Sequence, residues 1–231
     1  MLLLGAGKFG KVLLTSGTML VSVFSYSFIF GWPYAVGFVL LILVHEMGHY
    51  IAARQRGLQV GAPTFIPFVG AWIELQSLPH DAETEAYIGL AGPVVGTLGA
   101  FACYVLARQQ GSELLMALAY AGFMLNLFNL LPISPLDGGR ITGVISPKLW
   151  WVGAPLLIAL FMWRPSPMLV LIALIAAPQL MASLRGNASH PAGYYDIPLA
   201  TRVNYGCGYL GLVCVLAVLT FELHGVLQAG R

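Results

Sequence analysis

Charged residues are scarce in this chain of 231 residues, where Asp, Glu, Lys and Arg make up 9% of the sequence. An average soluble domain has about 25% charged residues. The formal net charge is only +2, which does not indicate a polyanionic partner. The three cysteines, Cys103, Cys207 and Cys214, include no CxxC pair, so a disulfide framework is not expected. These scarcities exclude a soluble globular domain, a disordered chain and a nucleic-acid binder.

Long uncharged apolar runs dominate instead, with 58% hydrophobic residues and a mean hydropathy of +0.83. The run 12–44 has no charge and, as one helix, would be about 50 Å long, too long for a hydrocarbon core of about 30 Å. Gly31-Trp32-Pro33 is expected to break it. We therefore predict an all-α, polytopic membrane protein, with seven transmembrane helices, or six if 149–163 does not cross: 12–31, 34–54, 86–107, 114–131, 149–163, 166–184 and 203–222.

The distribution of Lys and Arg predicts the orientation in the membrane. With seven crossings, eight of the eleven basic residues fall on the same side as the N-terminus. Because short cytoplasmic loops are enriched in Lys and Arg, we expect the N-terminus to be cytoplasmic. The predicted location is a multi-pass protein of the cell membrane.

An HExxH motif stands at the end of the second apolar run, as His45-Glu46-Met47-Gly48-His49. On a helix the two histidines share a face, and Glu46 lies about 100° round from His45. Two imidazoles at this spacing suit zinc, with the glutamate near enough to reach a metal-bound water. Ionisable groups inside a membrane span are costly and are functional hypotheses by default.

A catalytic zinc usually has three protein ligands, so a third must come from elsewhere in the chain. Asp137 follows an irregular stretch that contains Pro132 and Pro135, and irregular backbone at membrane depth is tolerated where it lines a cavity or is buried in protein. It is either this third ligand or a loop carboxylate paired with Arg140. Both interpretations fit the spacing.

Together, the HExxH motif and the later segment 129–140, NLLPISPLDGGR, resemble the site-2 protease family of intramembrane zinc metalloproteases. The resemblance implies one Zn²⁺ per chain, held by His45, His49 and Asp137. It also implies Glu46 as the catalytic base and Asn129 as a catalytic residue that helps to hold substrate or the developing oxyanion. Asn126, one turn before Asn129, is interpreted as a polar contact between helices.

The segment 57–74 resembles a membrane-associated hairpin or re-entrant loop of the same family, because Pro63, Pro67 and Gly70 interrupt its apolar sequence. Its exposed strand edge could pair with an unwound substrate, or the segment could be a packing loop over the site. In the third predicted span, Gly92 and Gly96 form a GxxxG-like face that predicts close helix approach.

We therefore expect one integral membrane protease domain over 1–231, with a catalytic core at about 34–145 and C-terminal helices at about 149–222. Its partners would be the lipid bilayer and a protein substrate with a transmembrane helix, cleaved near the cytoplasmic side. The alternative is an inactive zinc-binding membrane protein that binds transmembrane helices, or a metal carrier. The sequence leaves the substrate and the oligomeric state open.

Overall fold

The computed structural model of the chain describes residues 2–73, 77–184 and 191–229. It is built mostly from helices and contains one small antiparallel strand pair. In chain order the elements are α1 (Leu2–Phe30), α2 (Trp32–Gln55), β1 (Thr64–Ile66), β2 (Gly70–Trp72), α3 (Ala82–Gln110), α4 (Glu113–Asn129), α5 (Asp137–Ile145), a 3₁₀ turn (Pro147–Leu149), α6 (Trp150–Trp163), α7 (Pro167–Leu184) and α8 (Leu199–Ala229).

Four helices of the described residues are long and apolar enough to cross a membrane: α1 from Val12 onward, α2, α3 and α8. The predicted helical, multi-pass membrane fold is therefore confirmed. The predicted count of six to seven crossings stays a prediction. Helix α4 has 17 residues and α6 has 14, which corresponds to about 25 Å and 21 Å of helix against a hydrocarbon core of about 30 Å.

The break predicted in the first apolar run lies at Gly31, between α1 and α2. Gly31 has φ 81°, a left-handed backbone that glycine adopts without steric cost, and Pro33 stands in the first turn of α2. The chain therefore turns back, and α1 packs against α2 through apolar side chains that include Val23, Tyr26 and Val39.

The segment after α2 forms a short hairpin and not a helix. Strands β1 and β2 pair in antiparallel register, with Thr64 opposite Trp72 and Ile66 opposite Gly70. The turn between them is closed by the Val69 N–H, which donates to the Ile66 carbonyl at 3.1 Å. Residue 74, the last of the predicted segment, lies outside the described residues.

Helix α2 lies at the centre of the membrane part of the fold. Half of the most apolar stretch of α2 is buried inside the protein, whereas only 17% of the corresponding stretch is buried in α1 and in α8. Helices α3 and α4 pack on it and on each other, and α8 covers α4 and α5 through a cluster that includes Phe123, Ile141 and Leu216. The helix that carries HExxH is thus shielded from lipid over much of its surface, as an ionisable motif requires.

Candidate metal centre

His45 and His49 lie one turn apart on α2 and are both buried, with relative exposures of 3% and 7%. Their Nε2 atoms are 3.0 Å apart, so the two imidazoles converge on one point as the i, i+4 spacing predicts. The helix therefore places two nitrogen donors side by side in the interior.

Asp137 completes the cluster from a distant part of the chain. Its Oδ2 lies 3.1 Å from Nε2 of His45 and 3.2 Å from Nε2 of His49. The carboxylate is the first residue of α5 and is 7% exposed. Of the two interpretations of Asp137, the geometry favours a place beside the histidines.

The break between α4 and α5 brings Asp137 to this position. The chain folds back so closely that a Cβ on Gly138 would collide with the carbonyl oxygens of Leu130 and Leu131. Two further contacts hold the two sides of the break. The Trp150 indole N–H donates to the Gly139 carbonyl of α5 at 2.8 Å, and the Tyr209 hydroxyl donates to the Leu130 carbonyl at the end of α4 at 2.6 Å. The C-terminal helices thus buttress the segment that presents the carboxylate.

The second nitrogen of each imidazole faces an acceptor. Nδ1 of His49 lies 2.7 Å from the Ile88 carbonyl oxygen. Nδ1 of His45 lies 2.8 Å from Oδ1 of Asn126, whose amide nitrogen donates to the Gly122 carbonyl at 2.7 Å and so fixes the orientation of the amide. These partners assign the proton to Nδ1 in both neutral rings and leave both Nε2 atoms as lone-pair donors.

Three lone-pair atoms therefore point at one another, and a cation between them would remove their mutual repulsion. Tetrahedral zinc ligands at about 2.0–2.1 Å from the metal are about 3.4 Å apart, close to the separations of 3.0, 3.1 and 3.2 Å in this cluster. The donor set of two imidazoles and one carboxylate suits zinc and leaves the fourth tetrahedral position for water or substrate. Within the described part of the chain, no other group of three His, Cys, Asp or Glu side chains converges in this way.

Close helix packing makes room for the cluster. A Cβ on Gly92 of α3 would collide with the His49 imidazole, and one on Gly96 would collide with the Asn126 amide. A Cβ on Gly48 of α2 would likewise meet the Ala91 carbonyl oxygen. The predicted close approach at Gly92 and Gly96 is therefore present, and its function is to admit polar side chains and not only to bring backbones together.

Glu46 lies next to His45 on α2 and is 8% exposed, buried among charges of the same site. The ionisable groups that act on its carboxylate are those of His49, His45, Asp137 and Arg140. Asn129 is the last residue of α4 and is half-buried, just before the break that leads to Asp137. Glu46 therefore stands on one of the helices that build the cluster, and Asn129 stands on the helix that precedes the break.

The polar contact predicted for Asn126 is made, and its partner is the metal-site histidine itself. Sequence reasoning did not identify this partner, nor the Ile88 carbonyl beside His49. Asn126 and His45 are 81 positions apart in the chain. The partner of His49 is a backbone carbonyl, which no residue type in the sequence reveals. His80 lies outside the cluster in an exposed loop, 3.3 Å from the Thr84 hydroxyl, and the three cysteines are free thiols.

Comparison with known proteins relates the chain to a peptidase family. Residues 33–112 match the sequence model of Peptidase family M50. This part of the chain is similar to the family. The matched residues contain the HExxH helix, whereas the aspartate of the cluster lies beyond them. The resemblance to site-2 proteases is thereby confirmed.

Two curated relatives match about half of the length of this chain. Zinc metalloprotease MJ0392 of Methanocaldococcus jannaschii is 32% identical over 123 residues, which is 50% of this chain and 35% of the relative. The Rip3 protein of Mycobacterium tuberculosis is 33% identical over 128 residues, which is 50% of this chain and 30% of the relative. The chain therefore spans about a third of the length of these relatives.

A solved structure, that of the site-2 protease from Methanocaldococcus jannaschii, aligns with 75% of this chain and 88% of its own. The two are 22% identical in sequence, and the TM-score is 0.48.

Proposed function

We propose that this chain is an intramembrane zinc metalloprotease that hydrolyses peptide bonds in or near transmembrane segments of other membrane proteins. The observation that carries the proposal is the convergence of three lone-pair atoms, from His45, His49 and Asp137, within 3.2 Å of one another inside an apolar helix bundle. These three side chains would hold one zinc ion. Glu46, a buried carboxylate next to them, has no role in holding metal in this arrangement, and a proton acceptor is the role that suits it.

A bound zinc would supply Lewis-acid polarisation of the scissile carbonyl and would lower the pKa of a coordinated water. Glu46 takes a proton from the attacking water as the water oxygen bonds to the carbonyl carbon. It then gives that proton to the amide nitrogen as the C–N bond breaks, so one carboxylate serves as base and then as acid. Products are a carboxylic acid end and an amine end, and Glu46 returns to its ionised form.

Asn129 is proposed to hold the substrate or the oxyanion that develops on the scissile carbonyl. Its amide could donate to a carbonyl oxygen, and its place at the end of α4 puts it on the segment that leads to Asp137. By this assignment, Asn129 contacts substrate, while Asn126, three residues earlier, orients His45.

The hairpin of β1 and β2 is proposed to bind the substrate as an added strand. A helical substrate shields its own peptide bonds, so it must unwind before attack, and its freed backbone groups then need partners in a water-poor environment. The register pairs Phe65 with Ala71, and strand alternation directs the backbone N–H and C=O of Ala71 to the edge away from β1. An extended substrate segment could pair there.

The membrane arrangement is proposed to comprise six to seven crossings with a cytoplasmic N-terminus, in the cell membrane. The metal centre would then lie near the cytoplasmic side, because HExxH stands toward the C-terminal end of α2, before Arg54 and Arg56. Water would reach the site from that side.

Metal removal tests the proposal. Purified protein in lipid nanodiscs is expected to contain about one zinc per chain and to cleave a reporter with a single transmembrane helix. Treatment with a chelator should abolish cleavage, and added zinc should restore it. Cleavage that continues after the zinc has been removed would contradict the proposal. Tight zinc binding with transport across the bilayer and no cleavage would favour the carrier alternative.

A further inference from the structure

Helix α1 makes side-chain hydrogen bonds to the backbone of the hairpin, although some 47 residues of chain separate the two. The Thr15 hydroxyl donates to the Pro63 carbonyl at 2.8 Å. The Phe65 N–H donates to the Thr18 hydroxyl at 3.1 Å. Thr15 and Thr18 stand one turn apart on α1, so they face the same side of the helix.

A third contact continues the row toward the hairpin turn. The Phe68 N–H donates to the Tyr26 hydroxyl at 3.1 Å, and the two rings meet edge to face with centroids 5.0 Å apart. Phe68 has φ 63°, a left-handed backbone that is uncommon for a residue with a side chain. The contact with Tyr26 therefore holds the turn in a conformation that its own sequence does not favour.

These bonds fall on one edge of β1. Residues 63 and 65 are two apart, so their backbone groups point to the same side, and the opposite side of β1 pairs with β2. A two-stranded sheet normally leaves both outer edges available for pairing. We propose that Thr15 and Thr18 of α1 occupy the outer edge of β1, that Tyr26 holds the turn after it, and that all three act as positioning residues, which fix the hairpin so that β2 is the edge offered to substrate.

Apolar packing alone would not achieve this. Phe65 and Tyr26 are buried in the same cluster as Val39 of α2, at 3% and 7% exposure, but hydrophobic contact is non-directional and tolerates small shifts along the strand. Hydrogen bonds to alternate backbone groups are directional and fix the register of β1 relative to α1. The position of the hairpin is thus tied to α1, and through the hairpin so is the position of a bound substrate strand.

The part of this inference that concerns substrate rests on the proposed protease function, whereas the part that concerns the hairpin does not. Two variants separate them. Thr18→Val keeps the shape and removes the acceptor of the Phe65 N–H, and Tyr26→Phe removes the acceptor of the Phe68 N–H. Ser25→Ala is the matched control. Like Thr18, which donates to the Leu14 carbonyl, Ser25 donates to a carbonyl of its own helix, that of Val21. Unlike Thr18, it has no contact with the hairpin among those described.

Amide hydrogen exchange of the whole protein in nanodiscs is the first measurement. Loss of one such bond should raise the exchange rate about two- to tenfold at Phe65 in Thr18→Val and at Phe68 in Tyr26→Phe. Ser25→Ala should leave both rates unchanged. Unchanged exchange in the two variants, or an equal rise in the control, would overturn the inference.

Cleavage kinetics are the second measurement, with zinc content as the check that the metal centre is intact. We expect both variants to retain about one zinc per chain, to raise KM for a transmembrane reporter severalfold, and to change kcat little. Faster exchange with an unchanged KM would overturn the substrate part of the inference. If the wild type holds zinc and cleaves no reporter, the protease proposal fails, and the exchange rates alone decide whether α1 positions the hairpin.

Discussion

The side-chain amide oxygen of Asn126 lies 2.8 Å from Nδ1 of His45, across the interface between α4 and α2. The bond orients the imidazole and keeps Nε2 free of a proton, so that it can face Asp137. Gly96 of α3 leaves the space that the amide occupies. Three helices thus contribute to the orientation of one metal-binding nitrogen.

Replacing Asn126 should weaken zinc binding without removing a ligand. Asn126→Leu leaves the Nδ1 proton of His45 without an acceptor, and loss of such a partner typically lowers metal affinity about 10- to 100-fold. Asn126→Asp keeps an acceptor oxygen, so we expect its zinc affinity to stay near the wild-type level. Competition with a chromophoric chelator measures both affinities. An equal loss of zinc affinity in the two variants would instead point to the hydrogen bond from the Asn126 amide nitrogen to the Gly122 carbonyl as the important contact.

Asp137→Asn tests the third ligand. The amide preserves the size of the side chain but removes the anionic oxygen that faces both histidines at 3.1 and 3.2 Å. We expect much weaker zinc retention through purification and loss of cleavage, because a neutral amide is a poor zinc ligand. Metal analysis of the purified variant provides the measurement. Full zinc occupancy with near-normal cleavage would remove Asp137 from the site.

The close contact between Gly92 and the His49 imidazole predicts that a larger residue at position 92 disturbs the metal site. In Gly92→Ala the new methyl group would collide with the His49 imidazole, and overpacking of this kind costs about 1–3 kcal/mol. Zinc affinity should fall and thermal unfolding should occur at a lower temperature. Gly211→Ala on α8, where the added methyl has no neighbour within 4 Å, is the matched control and should match the wild type. Equal behaviour of the two variants would contradict the close packing of α3 on His49.

Cysteine labelling tests the orientation. In a variant in which Cys103, Cys207 and Cys214 are replaced by serine, single cysteines at Arg56 and Arg140 should react with a membrane-impermeant reagent only from the cytoplasmic side. A cysteine at Arg108 should react only from the other side, since it lies in the last turn of α3. Labelling of positions 56 and 140 from opposite sides would be incompatible with a site made by their neighbouring motifs.

The two histidines of the candidate metal site could be predicted from the sequence, because the i, i+4 spacing of His45 and His49 is a local property of a helix. Asp137 could be assigned only through the resemblance to a family, because spacing alone left it as a loop carboxylate or a ligand. The structure places Asp137 beside the two histidines through the fold-back at Gly138, a contact that depends on carbonyl groups seven and eight residues earlier in the chain.

The partner of Asn126 and the row of hydroxyl groups on α1 could not be predicted in the same way. Both join residues more than 40 positions apart, and in each case one partner is a common polar side chain without a motif. The number of membrane crossings also goes beyond sequence reasoning. Apolar stretches such as 114–131 are recognisable, but the helix that forms there, α4, has 17 residues and a crossing depends on its tilt and neighbours.

The Glu46→Gln variant tests the central claim most directly, because it separates metal binding from catalysis. Glutamine keeps the shape and leaves His45, His49 and Asp137 in place, so the variant should still contain about one zinc per chain. It cannot accept the proton of the attacking water, and loss of a general base typically lowers the rate about 10²- to 10⁴-fold. Cleavage of a membrane-embedded reporter should fall at least that far while zinc content stays constant. Equal cleavage by the two zinc-loaded proteins would contradict the assignment of Glu46 as the base and, with it, the proposed mechanism.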